Sequence, residues 1–410
     1  MTWGAALLYA AAWMGLAAAV FPLGGGYSSG DLSHYRDVAR QLLHGAVPYR
    51  DFAFEYPPLA LLPITIPGAL AGSGIELASR YHLALLTFNA ACVAVLGVCA
   101  TRIAAATAPH VPARVAGARF AAIALAGVAV YPWRFDLFVA LLAGVAVMLA
   151  LEEKPAWSGI VLGAAIATKL YPAVLAPVIG AWHVAGGRRR SATRFAAATL
   201  ASTAIAVLPL LAAAPHDFAS FITYHLARGL QIESTAAGVV LLAHAAAGTA
   251  VEMVENYGAV HLAPPIGADA QPALAVLAVG GVALTTWMAF ARFRAERLRA
   301  GAPAGRSLVA AALAAVVVVI VTNKVASPQY MAWLLPLAPL ASSVAFRLSL
   351  AASALTVAVF PGLYVALLHV EPLPVLLLNA RNLCLVALAG CLLWSLRPAA
   401  AAPSPPEAEG

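Results

Sequence analysis

Long apolar runs broken by short polar connections set the pattern of the chain, at about 3 to 22, 80 to 101, 118 to 132, 135 to 151, 156 to 169, 171 to 184, 195 to 214, 273 to 291, 308 to 322, 328 to 341, 349 to 367 and 376 to 396. A run of about 20 residues is what a perpendicular helix needs to cross a bilayer. Inside lipid each spanning segment must also satisfy its own backbone, so helices are expected throughout. The pattern therefore predicts an all-α polytopic membrane protein with about twelve transmembrane helices. Several runs are shorter than a full span, and the pairs 118 to 151 and 156 to 184 are predicted to include short or broken helices buried in protein. Two further stretches, 58 to 71 and 236 to 250, are read as surface or re-entrant helices. Pro57, Pro58, Pro63 and Pro67 interrupt the first, and the second is short.

One polar stretch, Gly30 to Pro58, stands against this apolar background. Leu32, Tyr35, Val38, Ala39, Leu42 and Leu43 recur at amphipathic-helix spacing in a segment too short and too charged to span. The segment is predicted to be a helix on the membrane surface, with Asp31 at or near its N-cap after the permissive Gly30. A carboxylate there can cap the helix, or it can act as a general base at the water boundary.

Composition sharpens the class. With 63% hydrophobic and 10% charged residues and a mean hydropathy of +0.88, an ordinary soluble protein is excluded. The net charge of +7 would suggest nucleic acid in a soluble chain. Here the basic residues lie in loops between apolar runs, where topology explains them. Counting twelve spans with a cytoplasmic N-terminus puts Arg102, Arg114, Arg119, Lys154, Arg188, Arg189, Arg190, Arg194, Arg292, Arg294, Arg297, Arg299, Arg306, Arg347 and Arg397 inside, fifteen of the 24 Lys and Arg. The long outer loops are then about 23 to 79 and 215 to 272, and the polar residues that interrupt or abut the spans all fall toward that outer face. Such a distribution places a site on the extracytoplasmic side of a plasma-membrane protein. The membrane domain is read as 1 to 397, with a disordered cytoplasmic tail over 398 to 410. The first run, lacking a preceding basic residue and a clear cleavage site, is read as a retained span. Cys92, Cys99, Cys384 and Cys391 fit no metal or redox spacing and are expected to be buried thiols.

Five groups of polar residues could carry chemistry. Asp31 leads, with His34 one helical turn on and Tyr35 and Tyr56 nearby. In Tyr131-Pro-Trp-Arg-Phe-Asp136, Arg134 offers a planar fork to a phosphate, and Asp136 could hold it or cap the next helix. Lys169 lies deep between two apolar halves beside Tyr171-Pro172, where a cation must face a cavity or an anion or snorkel to the interface. His225 and Arg228, three apart, would share a helix face as a clamp, with Glu233 beyond them. Lys324 and Gln329 flank Ser327-Pro328, followed by Tyr330 and Trp333, which could equally be interfacial anchors. No nucleotide-binding, dinucleotide-binding or metal motif occurs, and no internal repeat of a transporter is visible.

The order Gly30-Asp31, Tyr35, Gly45-x-x-Pro48-Tyr49, Tyr56-Pro-Pro-Leu59, Arg134-Phe-Asp136, Lys169-x-Tyr171-Pro172, Tyr224-His225-x-x-Arg228-Gly-x-Gln231-x-Glu233-Ser234, Lys324-x-x-Ser327-Pro-Gln329-Tyr330-x-x-Trp333 and a late Ala380-Arg-Asn382 resembles glycosyltransferase family 87 of the GT-C superfamily, over about residues 30 to 385. The resemblance implies the GT-C membrane fold and a metal-independent, inverting transfer of mannose from polyprenyl-phosphate mannose to a glycolipid or glycan acceptor. No cofactor is implied. Asp31 matches the catalytic base. Arg134, Lys169, Arg228 and Lys324 are candidates for the departing lipid phosphate, His225 and Glu233 for sugar hydroxyls, Asp136, Tyr171 and Gln329 for the donor side, and His34, Tyr35 and Tyr56 for the acceptor side. Another polyprenyl-phosphate sugar, arabinose or glucose, or a lipid-linked sugar flippase are the alternative readings.

Overall fold

A computed structural model describes residues 1–72, 75, 77–107 and 111–397, so the segment 398–410 lies outside the described residues. The chain begins with α1 (Trp3–Leu43), followed by α2 (Leu61–Ala71), α3 (Ala78–Ala106), α4 (Ala113–Ala126), α5 (Asp136–Leu151), α6 (Pro155–Thr168), α7 (Leu175–Ala185) and α8 (Arg189–Ala213). The loop that follows holds α9 (Ser220–Ala227), β1 (Leu230–Gln231), α10 (Thr235–Ala247), β2 (Met253–Asn256) and β3 (Ala259–Leu262). Then come α11 (Ile266–Ala300), α12 (Gly305–Thr322), α13 (Ser343–Val357), α14 (Tyr364–Leu368) and α15 (Pro372–Ser395). Seven helices among the described residues are long and apolar enough to cross a membrane, and shorter apolar helices fill the spaces between them. The chain is an all-α integral membrane protein apart from one small antiparallel sheet of order β1-β3-β2.

The seven long apolar helices among the described residues are fewer than the twelve spans expected, and two segments differ in form from the sequence expectation. The segment from Asp31 onward is not a separate surface helix: α1 runs unbroken through it, and at 41 residues it reaches about 60 Å, roughly twice the hydrocarbon thickness. Asp31 is therefore an interior helical residue and not an N-cap. Glycines at 24, 25, 26 and 30 retain their backbone N–H groups, and no proline intervenes between Pro22 and Pro48, so nothing in the sequence forces a break. The amphipathic spacing is real, but Leu32, Tyr35, Val38 and Ala39 are buried against protein. A Cβ on Gly68 of α2 would stand 2.7 Å from that of Ala39, which shows how closely α2 lies on this half of α1.

The run 328 to 341 is the second, since it folds into 3-10 turns, Pro328–Leu334 and Ala338–Leu340, instead of an α-helix. Pro328, Pro336 and Pro339 remove the donors that an α-helical ladder needs. Irregular backbone at membrane depth is tolerated only inside protein. Residues Tyr330 to Ala341 are all buried, and a Cβ on Gly144 of α5 would meet Pro336 at 2.7 Å.

Close packing fixes the remaining frame. On α6, a Cβ added to Gly159 or Gly163 would lie 2.3 Å from the Phe195 carbonyl oxygen or 2.5 Å from that of Thr199, so α6 and α8 touch backbone to backbone. Ser202 Oγ on α8 donates to the Ile160 carbonyl at 2.8 Å across the same seam. Tyr9 and Trp13 of α1 donate to the Ala121 and Ala124 carbonyls of α4 at 2.7 and 2.9 Å. Cys92 and Cys99 are buried, as expected; Cys391 is instead exposed and Cys384 half-buried, because α15 turns one side outward.

The helix ends sort into two poles. At one, Arg188 pairs with Glu153, Arg292 Nε meets Glu296 at 2.7 Å and its Nη1 the Arg397 carbonyl at 3.0 Å, and Arg119 donates to Ser343 Oγ at 2.9 Å. This is the pole of the basic connections. The opposite pole gathers the second half of α1, the 131–136 turn, the α6–α7 break, the α9-to-β3 loop and the start of the 3-10 segment, joined by the pairs Asp31–Arg134, Lys169–Asp136, Trp333–Asp136 and Lys324–Arg228.

Candidate functional site

The second half of α1 carries Asp31 to the 131–136 turn, where its Oδ2 pairs with Arg134 Nη2. The two partners differ in setting: the Asp31 side chain is 40% exposed and that of Arg134 only 5%. Arg134 is held from behind. Asn89 Nδ2 of α3 donates to the Pro132 and Arg134 carbonyls at 2.8 and 3.0 Å, and Arg134 Nη1 donates to the Trp133 carbonyl at 3.0 Å. Its Nε is buried without a hydrogen-bond partner among the described residues. A seated guanidinium thus meets a carboxylate that water or a substrate can reach.

Asp136, at the start of α5, turns away from Arg134 to make its hydrogen bonds. Its Oδ1 accepts from Lys169 Nζ at 2.7 Å and from Trp333 Nε1 at 2.7 Å, and the residue is 1% exposed. Lys169, which ends α6 in extended backbone, therefore does not snorkel. It sits among the rings of Phe135, Tyr56, Tyr330 and Trp333 at 5.1 to 5.9 Å, within cation–π range. Tyr171 stacks on Trp333 at 3.8 Å and 5°, and Tyr330 stacks on Trp333 at 3.9 Å. Tyr35 and Tyr56 close the wall between this cage and Asp31, with Tyr56 edge-on to Phe135 at 4.9 Å. Burial pushes both phenols well above their ordinary value, so they remain protonated donors.

The loop between α8 and α11 covers the open side. His225 ends α9, but Arg228 is the cap residue in extended backbone, so the two do not share a helix face as the spacing suggested. They are still electrostatic neighbours. Burial first, then the positive charges of Arg228 and Lys169, lower His225 to about 4, which leaves a neutral ring able to bond hydroxyls. Arg228 also acts on Tyr330 and on His261 of β3. Lys324 is occupied: its Nζ donates to the Leu226 carbonyl at 2.8 Å, the Arg228 carbonyl at 2.6 Å and Gln271 Oε1 at 2.8 Å. Gln329 lies half-buried in the first 3-10 turn, next to Tyr330. Glu233 is buried, bonded by Gln231 Nε2 at 2.9 Å, and its backbone carbonyl accepts from Arg381 of α15. Burial raises the Glu233 carboxyl to about 7.

His34 meets Glu55 at 2.9 Å on the rim, and the hydrogen bond to that carboxylate raises the imidazole. The structure thus brings Asp31, His34, Tyr35, Tyr56, Arg134, Asp136, Lys169, Tyr171, His225 and Arg228 around one region. Glu233 lies deeper, against α15. Sequence reasoning missed Glu55 and Asn89, and it left Tyr330 and Trp333 open between the site and interfacial anchoring. Asn89, a lone amide in the apolar run 80 to 101, was the available signal.

Among protein-family models, that of glycosyltransferase family 87 matches residues 54–320, which includes Tyr56, Arg134, Asp136, Lys169, Tyr171, His225, Arg228 and Glu233. Asp31, His34, Tyr35, Lys324 and Gln329 fall outside the matched range, which is narrower than the motif order alone suggested. No curated protein sequence matches the chain.

Proposed function

Because the chain belongs to glycosyltransferase family 87, we propose that this membrane glycosyltransferase moves a mannosyl residue from polyprenyl-phosphate mannose to a glycolipid or glycan acceptor, with inversion. The reaction takes place on the extracytoplasmic face; the grouping of basic connections at the pole opposite the site supports that orientation. An acceptor hydroxyl attacks the anomeric carbon, the bond from that carbon to the phosphate oxygen breaks, and Asp31 takes the hydroxyl proton. The lipid phosphate leaves with the bonding electrons, stabilised by Arg134, Lys169 and Arg228.

The single observation that carries this reading is the pairing of the accessible Asp31 with the buried Arg134. The guanidinium occupies the carboxylate. A donor phosphate competing for Arg134 would release Asp31 to accept a proton, so that substrate binding itself readies the base. Neutral His225, and Glu233 behind it, bind sugar hydroxyls, while His34, Tyr35 and Tyr56 border the acceptor. Lys324 contributes by holding the 226–228 backbone in place, which sets the position of Arg228.

The test supplies purified enzyme in lipid with labelled polyprenyl-phosphate mannose, arabinose or glucose and a set of acceptors, followed by anomer analysis of the product. Transfer of mannose to an α-linked product is expected. Transfer of another sugar, retention of configuration, or movement of the intact donor across the bilayer without transfer would each overturn the proposal.

A further inference from the structure

At the pole opposite the site, the end of α7 and the turn that joins it to α8 carry buried polar atoms without hydrogen-bond partners among the described residues, most of them donors. Trp182 Nε1, both ring nitrogens of His183, and Nε and Nη2 of Arg188 are shielded from solvent and have no hydrogen-bond partner among the described residues. Arg188 lies over the Trp182 ring at 5.4 Å, and its remaining Nη1 pairs with Glu153. A second guanidinium closes in from α11. A Cβ built on Gly187, whose φ is +77°, would stand 2.5 Å from Arg297 Cζ, and one on Gly186 would stand 3.2 Å from Arg188 Nε. Two cations therefore flank the same two-glycine turn, and one carboxylate bonded to one of them leaves the charge uncompensated.

Buried donors without acceptors are destabilising, and two guanidinium groups on one turn repel each other unless an anion joins them. Planar Arg donors fit phosphate oxygens. The positive φ of Gly187 favours glycine, and the Arg297 guanidinium packs directly over it. We propose that Trp182, His183, Arg188 and Arg297 form a binding site for a phosphate group, separate from the transfer site and at the other end of the bundle. The basic connections that surround it place it at headgroup level, where such a group can come from an anionic phospholipid or from free phosphate.

The experiment uses the full-length protein in neutral detergent, with phosphatidylglycerol retention measured by native mass spectrometry against phosphatidylcholine, and thermal stabilisation by inorganic phosphate measured separately. Arg297→Gln removes an exposed side chain and leaves packing intact; Arg188→Gln removes the partly buried one. Loss of one charged hydrogen-bond partner is expected to weaken binding at least about tenfold. Retention of phosphatidylglycerol without a response to inorganic phosphate assigns the lipid headgroup, and an equal response to inorganic phosphate assigns the free anion; both require the Arg297→Gln loss. If wild type and Arg297→Gln retain phosphatidylglycerol equally and respond equally to phosphate, the proposal is overturned.

Discussion

Replacing Asp136 with Asn tests the ionic centre of the site. The carboxylate and Lys169 Nζ are 2.7 Å apart, and their side chains are 1% and 15% exposed. At an effective dielectric constant of about 20, that separation corresponds to an attraction of about 6 kcal/mol, offset in part by the desolvation of both ions. Asp136→Asn is nearly isosteric and keeps an acceptor for Trp333 Nε1, so the change isolates the charge. It leaves an ammonium group in a ring-lined cage with a neutral amide oxygen and cation–π contacts but no counter-ion, and breaking a buried pair this way costs roughly 3–5 kcal/mol. Thermal unfolding followed by tryptophan fluorescence in detergent should show a drop of several degrees. The double variant Asp136→Asn/Lys169→Met removes both charges and should recover most of that loss, while glycosyl transfer stays impaired because the cation is gone. If Asp136→Asn unfolds at the wild-type temperature, or if the double variant is no more stable than the single one, Lys169 does not depend on Asp136 and the ionic centre is misread.

Other outcomes follow from the same geometry. Burial raises Glu233 from about 4.5 to about 7, so the folded state holds this proton more tightly than the unfolded one. The corresponding stability is full below pH 4.5 and is lost as pH rises to 7, by about 3 kcal/mol; Glu233→Gln should flatten that part of the stability–pH curve. Gly163→Ala places a methyl group 2.5 Å from the Thr199 carbonyl oxygen, forcing α6 and α8 apart at a cost of roughly 1–3 kcal/mol, measurable as a lower unfolding temperature. Trp333→Phe keeps an aromatic surface against Tyr171 and Tyr330 but leaves Asp136 with one donor fewer, and should lower transfer more than it lowers thermal stability.

Hydropathy made the membrane class and most helix positions readable, because bilayer thickness and backbone satisfaction leave few choices. The 3-10 form of 328 to 341 was hidden because its prolines matter only once the segment is known to be enclosed by protein. The spacing of Leu32, Tyr35, Val38 and Ala39 revealed a helix and its buried face, but not that this helix continues the first span. Asp31, Arg134, Asp136 and Lys169 were all legible as candidates. Their partnership was not: a charge at a span end has several possible counter-ions, and the sequence left Asp136 either to hold Arg134 or to cap the next helix, whereas the fold gives Asp136 to Lys169 and Arg134 to Asp31. Lys324 looked like a phosphate ligand for the same reason, since its three backbone and amide acceptors come from residues about 50 to 100 positions away.

The most direct test of the account is single-turnover transfer by Asp31→Asn reconstituted in lipid with labelled polyprenyl-phosphate mannose and acceptor, with donor binding measured on the same sample. The account predicts that the donor is still bound and that product forms roughly 10²- to 10⁴-fold more slowly than in wild type. Product formation at the wild-type rate would contradict it.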